Sequence, residues 1–144
     1  MTEMNTSIVI PAPPDRVWES FMNTKQWAAL FGGVLVDDQP ETPWQQGSAR
    51  ILKIRPFRSA RPTSVEIQVQ ACERYHLRWT SRAPGLAATR FFTVEPAEGG
   101  SLFRNCEHVT GFIPRIAPRF VTRALTRTHE GFNGAFRDSL AEMR

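Results

Sequence analysis

The run from Tyr75 to Met143 restricts the possible folds most sharply, because it orders strand, turn, strand, turn, strand and then one long helix. Tyr75-His76-Leu77-Arg78-Trp79 and Arg90-Phe91-Phe92-Thr93-Val94-Glu95-Pro96 read as strands. A Gly99-Gly100 turn leads into a third strand, Ser101 to Gly111, and helical spacing begins at about Arg115. An antiparallel sheet that delivers the chain into a long helix can wrap that helix. It can also leave a cavity between the two, which makes a cavity the best functional lead.

The upstream segments add to the same sheet. Ser7-Ile8-Val9-Ile10 is a β-branched strand, stopped by Pro11-Ala12-Pro13-Pro14-Asp15. Val17, Trp18 and Phe21 then fall at helical spacing and predict a short helix over 14–22. A second short helix is expected from Trp27 to Phe31, ended by Gly32-Gly33, with a strand at Val34-Leu35-Val36. After a loop from Pro40 to Gln46, Ala49 to Arg55 reads as a strand and Pro56 to Pro62 as a turn. Val65, Ile67 and Val69 alternate with Glu66, Gln68 and Gln70, the period of a half-buried strand. Tyr75, Leu77 and Trp79 repeat that period, which puts Trp79 on the inner face, while Trp44 falls on a loop.

The last hairpin permits a register argument. If Val94 faces Phe103 across the Gly99-Gly100 turn, then Phe92 faces Asn105 and Arg90 faces Glu107. Opposite residues share a face of the sheet, and a slip of one residue would turn every side chain over. Val94, Phe92 and Phe103 mark the inner face, so Arg90, Asn105 and Glu107 point inward as well. On the closing helix, Phe120, Val121, Ala124, Leu125, Thr128, Phe132, Ala135, Phe136, Leu140 and Met143 form a broad, largely apolar stripe. Gly131 and Gly134 interrupt it, each at a cost of about 1 kcal/mol relative to alanine. Close packing, a bend or room for a ligand would offset that cost.

A length of 144 residues predicts a single domain over 1–144, and 41% hydrophobic with 22% charged residues is ordinary for a globular chain. No apolar run is long enough to span a bilayer, and Met1-Thr2-Glu3-Met4-Asn5-Thr6 lacks a signal pattern, so a cytoplasmic protein is expected. Cys72 and Cys106 suit reduced, structural roles. The net charge of +4 comes from arginines spread along the chain, without a nucleic-acid motif; a solvated basic surface is expected, and no nucleic-acid partner. His76 and His108 take the outward parity of their strands, and His129 lies beside the helical stripe. No metal site and no cofactor are expected, since no His or Cys pair has ligand spacing and no P-loop, GxGxxG or GxSxG is present.

The order of elements resembles the helix-grip fold of the START-like (SRPBCC) superfamily. The segments that carry the resemblance are Ile8-Val9-Ile10-Pro11-Ala12-Pro13-Pro14-Asp15-Arg16-Val17-Trp18, Trp27, Leu77-Arg78-Trp79, Phe92-Thr93-Val94-Glu95-Pro96 with Gly99-Gly100, Glu107 to Gly111, and Gly131-Phe132. They are similar to its small bacterial polyketide cyclase/dehydrase-like members. The resemblance implies an α+β fold, with a seven-stranded antiparallel sheet curved around the C-terminal helix. It also implies two short helices after the first strand and an apolar cavity between sheet and helix. Members bind lipids, polyketides, hormones or quinones, and some are enzymes. The chain carries Arg90 where histidine would be expected in the nearest bacterial relatives.

These readings converge on binding of a small hydrophobic or amphipathic molecule: a lipid, polyketide, aromatic or quinone. Val65, Ile67, Trp79, Phe92, Phe103, Leu125, Thr128, Phe132 and Phe136 would line the site, with Arg90, Asn105 and Glu107 at the ligand's polar end. Arg90 and Glu107 could equally be a structural ion pair. A polyketide cyclase/dehydratase-like enzyme is the alternative, although an arginine beside Glu107 works against a general acid there. A ligand-free interaction module is the third reading. The linker from Phe112 to Phe120 mixes apolar residues with arginine, which suits either membrane contact or a helix start packed inward.

Overall fold

Alternation along the strands sets one face of a sheet against the last helix. The computed structural model describes residues 2–31, 35–55 and 61–142. The Gly32-Gly33 stop, Val34, most of the expected 56–62 turn and Met143 lie outside the described residues. The strands are β1 (Thr2–Ile10), β2 (Leu35–Asp37), β3 (Ala49–Ile54), β4 (Thr63–Glu73), β5 (His76–Ala83), β6 (Leu86–Ala97) and β7 (Gly100–Thr110). They form one antiparallel sheet in the order β1-β7-β6-β5-β4-β3-β2. Helices α1 (Pro14–Met22) and α2 (Trp27–Leu30) follow β1, and α3 (Phe112–Ile116) and α4 (Pro118–Glu142) close the chain.

The register of the last hairpin is the expected one: Val94 opposes Phe103, Phe92 opposes Asn105, and Arg90 opposes Glu107. The turn requires its glycines. A Cβ at Gly100, whose φ is +145°, would stand 2.2 Å from the carbonyl oxygen of Ile10. β1 begins five residues before the Ser7 expected from its apolar run, and it pairs with β7 along its whole length. Its first half hides behind alternating polar residues, of which Thr6 points inward between Met4 and Ile10 and is buried with them.

The closing helix also departs from expectation. It does not run unbroken from Arg115; α3 ends at Ile116 and α4 begins at Pro118. Pro118 bars the preceding residue from helical geometry, and Ala117 takes φ −137°, ψ 57°. A Cβ at Gly131 or Gly134 would meet nothing within 4 Å, so close packing does not account for either glycine, and nothing else in the structure does.

Two apolar clusters form the interior. The larger is aromatic and gathers Phe21, Trp27, Trp79, Phe92, Phe103, Phe132 and Phe136 between the sheet, the short helices and the C-terminal half of α4. The smaller holds Met4, Val109 and Val121, with Leu86 and Leu125 against it. A polar belt divides them. On β1, Thr6 falls between Met4 and Ile10; on β7, Asn105 and Glu107 fall between Phe103 and Val109; on β6, Arg90 falls between Leu86 and Phe92; on α4, His129 falls between Leu125 and Phe132.

Candidate functional site

Buried polar groups cost free energy unless each finds a partner, and most of the belt is paired. Asn133 Nδ2 donates to Thr6 Oγ1 at 3.0 Å, and Thr6 Oγ1 donates to the Asn105 carbonyl at 2.7 Å. Asn105 Nδ2 donates to Asn133 Oδ1 at 3.1 Å. The other end of that carboxamide, Oδ1, accepts Arg90 Nε and Nη2, both at 3.3 Å. Asn105 is fully buried, so it orients Arg90 instead of meeting a ligand directly. The Arg90 guanidinium also sits over the rings of Phe92 and Phe132, at 5.0 and 5.4 Å.

Glu107 turns to a different partner. Its Oε1 accepts His129 Nε2 at 2.9 Å. The structural ion pair that was one reading of Arg90 and Glu107 does not form: they oppose each other in register, but each is hydrogen-bonded elsewhere. They interact only through their charges. His129 Nδ1 is buried without a hydrogen-bond partner among the described residues; the Asn105 carbonyl is near enough to influence it but is not in bonding geometry.

These contacts set the protonation states. Burial pushes the Glu107 carboxyl up, but the His129 hydrogen bond and the Arg90 charge outweigh it, so it stays below its ordinary value. Burial and then the Arg90 charge push His129 down, and Glu107 offsets only part of this. Arg90 is lowered by burial and partly restored by Glu107, yet a guanidinium stays charged. Lowered values mean that the folded state holds fewer protons than the unfolded chain. Stability is therefore expected to be full above about pH 6.5 and to fall as the pH drops. The first decline comes as the unfolded-state histidine protonates, the second below about pH 4.3 as the carboxyl does. Urea denaturation from pH 8 to pH 4 should show this decline, and His129→Gln should remove its upper part. A profile unchanged by that substitution would contradict the assignment.

Beside the belt, between the sheet and the N-terminal half of α4, lies a cavity of about 210 Å³. Val65 of β4, Trp79 and Ser81 of β5, and Ala88 of β6 form one wall, with Leu125 and Thr128 of α4 opposite. Arg90, Glu107 and His129 supply its polar end. Thr63 and Arg82, both exposed, mark its opening. A more open and more polar depression of about 370 Å³ lies elsewhere, among Met22 to Lys25, Pro40 to Trp44 and Cys72.

Six of the sequence-derived site residues line the cavity: Arg90, Glu107, Trp79, Val65, Leu125 and Thr128. The other six do not. Ile67, Phe92, Phe103, Phe132 and Phe136 fill the aromatic core, where Phe92, Phe103 and Phe132 stack on one another, and Asn105 is sealed in the belt. His129 was missed as a site residue. It lies seven residues before Phe136 and three before Phe132, on the inward stripe itself, and that spacing was the available signal. Thr6 and Asn133, which hold Asn105 in place, are likewise polar residues at inward positions that the sequence reading did not single out. Cys72 and Cys106 are unpaired, and among the described residues no three of His, Cys, Asp and Glu converge on a common point.

The sheet wrapped on a long helix, with a cavity between, has counterparts. Residues 1–144 match the family described as polyketide cyclase / dehydrase and lipid transport. The chain belongs to that family. It is of the SRPBCC type, with the helix-grip fold. Among solved structures, protein MLL2253 from Mesorhizobium loti is 16% identical with a TM-score of 0.71, covering 99% of this chain and 98% of its own. Ara h 8.0201 is 15% identical with a TM-score of 0.72, and 97% of each chain is covered. DynU16, from the dynemicin biosynthetic locus, is 17% identical with a TM-score of 0.70, covering 98% of this chain but 48% of its own. At these identities the likeness establishes the fold alone. No curated protein matches the sequence. Among the described residues of this family member, no helix is long and apolar enough to cross a membrane.

Of the two readings of the segment after β7, the helix start with its large apolar residues packed inward does not hold. Phe112, Ile116 and Phe120 are 65%, 65% and 62% exposed, and Ile113 is exposed as well. The backbone of Ile113 bonds to Gly85 in the β5–β6 turn, next to Leu86 at the cavity.

Proposed function

We propose that the protein binds a small hydrophobic or amphipathic molecule in the cavity between the sheet and α4. One observation carries this reading: an apolar space closed at its inner end by a buried arginine and a half-buried carboxylate. The volume narrows the candidates. Sites for drug-sized ligands span about 300–1,000 Å³, so a cavity of about 210 Å³ takes a single ring or a short chain whole. A lipid or polyketide would insert one end only. Apolar burial at about 25 cal/mol per Å² would supply most of the affinity.

Ala88→Leu tests the reading, because Ala88 is a small inner-face residue on the cavity wall. Calorimetric titration with benzyl alcohol, indole and 1-octanol should show binding to wild type. The filled variant, folded by circular dichroism, should bind at least about tenfold more weakly, the loss of one or two well-buried methylenes. Equal binding by both proteins would place the ligand elsewhere.

A second surface favours contact with an anionic bilayer. Arg115, Arg119, Arg123 and Arg127 are exposed at four-residue steps beside Phe112 and Ile116, and no acidic residue occurs between Glu107 and Glu130. Exposed basic and apolar residues gathered along α3 and the first half of α4 suit interfacial binding to anionic lipid. The patch adjoins the cavity, so ligand exchange with a membrane would occur there. Co-sedimentation is expected with phosphatidylglycerol vesicles and not with phosphatidylcholine vesicles, and it should be lost in Arg119→Glu/Arg123→Glu. Absence of binding to either vesicle would refute the contact.

A further inference from the structure

We infer that the cavity selects an uncharged ring bearing a hydroxyl group, such as a phenol, and that Glu107 excludes the corresponding carboxylate. The inference rests on the cavity-binding reading above and adds the chemical class of the ligand.

The fold leaves polar atoms unused at the inner end of the cavity. Arg90 spends Nε and Nη2 on Asn105, and its Nη1 donates to no protein group among the described residues. Glu107 spends Oε1 on His129, and its Oε2 has no such partner either. Both side chains line the cavity, from facing positions on neighbouring strands. Arg90 is 6% exposed, so its spare donor has little access to bulk water. An occupant therefore meets one strong donor and one strong acceptor.

A hydroxyl satisfies both at once: its oxygen accepts from Arg90 Nη1 and its proton is donated to Glu107 Oε2. A ketone or ether would use the arginine and leave the carboxylate bare. A plain hydrocarbon would leave both unsatisfied, which is the costliest outcome in a dry site. Charge decides the rest. Arg90 and Glu107 cancel, and His129 adds nothing because it is held neutral. A carboxylate would bring an uncompensated charge into the interior and set it against Glu107. An ammonium would meet Arg90 in the same way. Arg82 stands exposed at the opening, where solvent screens it. Arg55 also lines the cavity, half-buried and with its Nε unpartnered among the described residues, so the exclusion of a carboxylate acts where the ligand's polar group meets Glu107. The belt from Asn133 through Thr6 and Asn105 to Arg90 fixes where the donor stands. His129 does the same for the acceptor.

The test compares phenol, toluene and benzoate by calorimetric titration of the whole protein at pH 7.5, then repeats the series with Glu107→Gln. Phenol should bind wild type at least about tenfold more tightly than toluene or benzoate, because a site built for a hydroxyl penalises its absence. In Glu107→Gln the cavity gains a net positive charge, and the preference between phenol and benzoate should move toward benzoate by about tenfold or more. Equal affinity of wild type for all three, or tighter binding of benzoate, overturns the inference and leaves cavity binding standing. Failure of all three to bind overturns cavity binding itself. Should Glu107→Gln fail to fold, the wild-type series alone still decides.

Discussion

Asp37→Ala is expected to destabilise the protein by about 3–5 kcal/mol, the range for breaking one side of a buried ion pair. Asp37 and Arg50 form such a pair at 2.7 Å, with side chains 0% and 2% exposed. Asp37 Oδ2 also accepts Thr24 Oγ1, and Arg50 donates to the carbonyls of Gln39 and Thr42 while lying 4.2 Å from the Trp44 ring. The cluster thus ties β2 and β3 to the turn before α2 and to the loop over 39–44. Removing the carboxylate strands a buried guanidinium, and that stranding, more than the lost attraction, produces the cost. Replacing both partners in Asp37→Leu/Arg50→Met should therefore recover a large part of the loss. Chemical denaturation of wild type, the single variant and the double variant checks both statements. The exposed pair of Glu95 and Arg104 gives the comparison: Arg104→Ala should cost less than about 1 kcal/mol.

Phe21→Ala should cost about 3–5 kcal/mol, the range for deleting a buried aromatic side chain. Phe21 is fully buried, and its ring meets six others, with centroid distances from 4.8 Å to Phe92 to 6.5 Å to Phe132. It joins α1 to β6, β7 and α4 in one place, so the space left behind has walls on several elements and cannot collapse around any one of them. Phe21→Leu keeps much of the volume and should lose clearly less. The near-UV circular dichroism of Trp27, 5.5 Å away, should change in Phe21→Ala. A loss below about 1 kcal/mol would mean that the aromatic cluster is loosely packed. Neither substitution touches the cavity lining, so ligand binding by the folded fraction should persist.

The legible parts of this protein were those set by parity and by one tight turn. Gly99 and Gly100 fixed the last hairpin, and alternation from Val94 then carried Arg90 and Glu107 to facing inner positions. The partners of those two residues were not legible. Asn105 and His129 claim them because a guanidinium and a carboxylate have several bonding directions, which register does not specify. The lining was half right. Inner-face parity says that Phe92 and Phe103 point into the wrap, but not how far along α4 the aromatic core ends and the cavity begins. The Asp37–Arg50 pair escaped notice because β2 is three residues long and offers too short a pattern to mark an aspartate as inward. The break at Ala117 was foreseeable from Pro118, but the exposure of Phe112 and Ile116 was not, since apolar residues at a helix start ordinarily pack inward.

The most direct test of the account is to titrate the isotopically labelled protein with phenol and map the chemical-shift changes. The account predicts saturable shifts at the Trp79 indole and at the amides of Ala88, Arg90, Glu107 and His129, whose side chains surround the cavity. Shifts confined to Met22 to Lys25 and Pro40 to Trp44, around the open depression, or no saturable shifts at all, would contradict it.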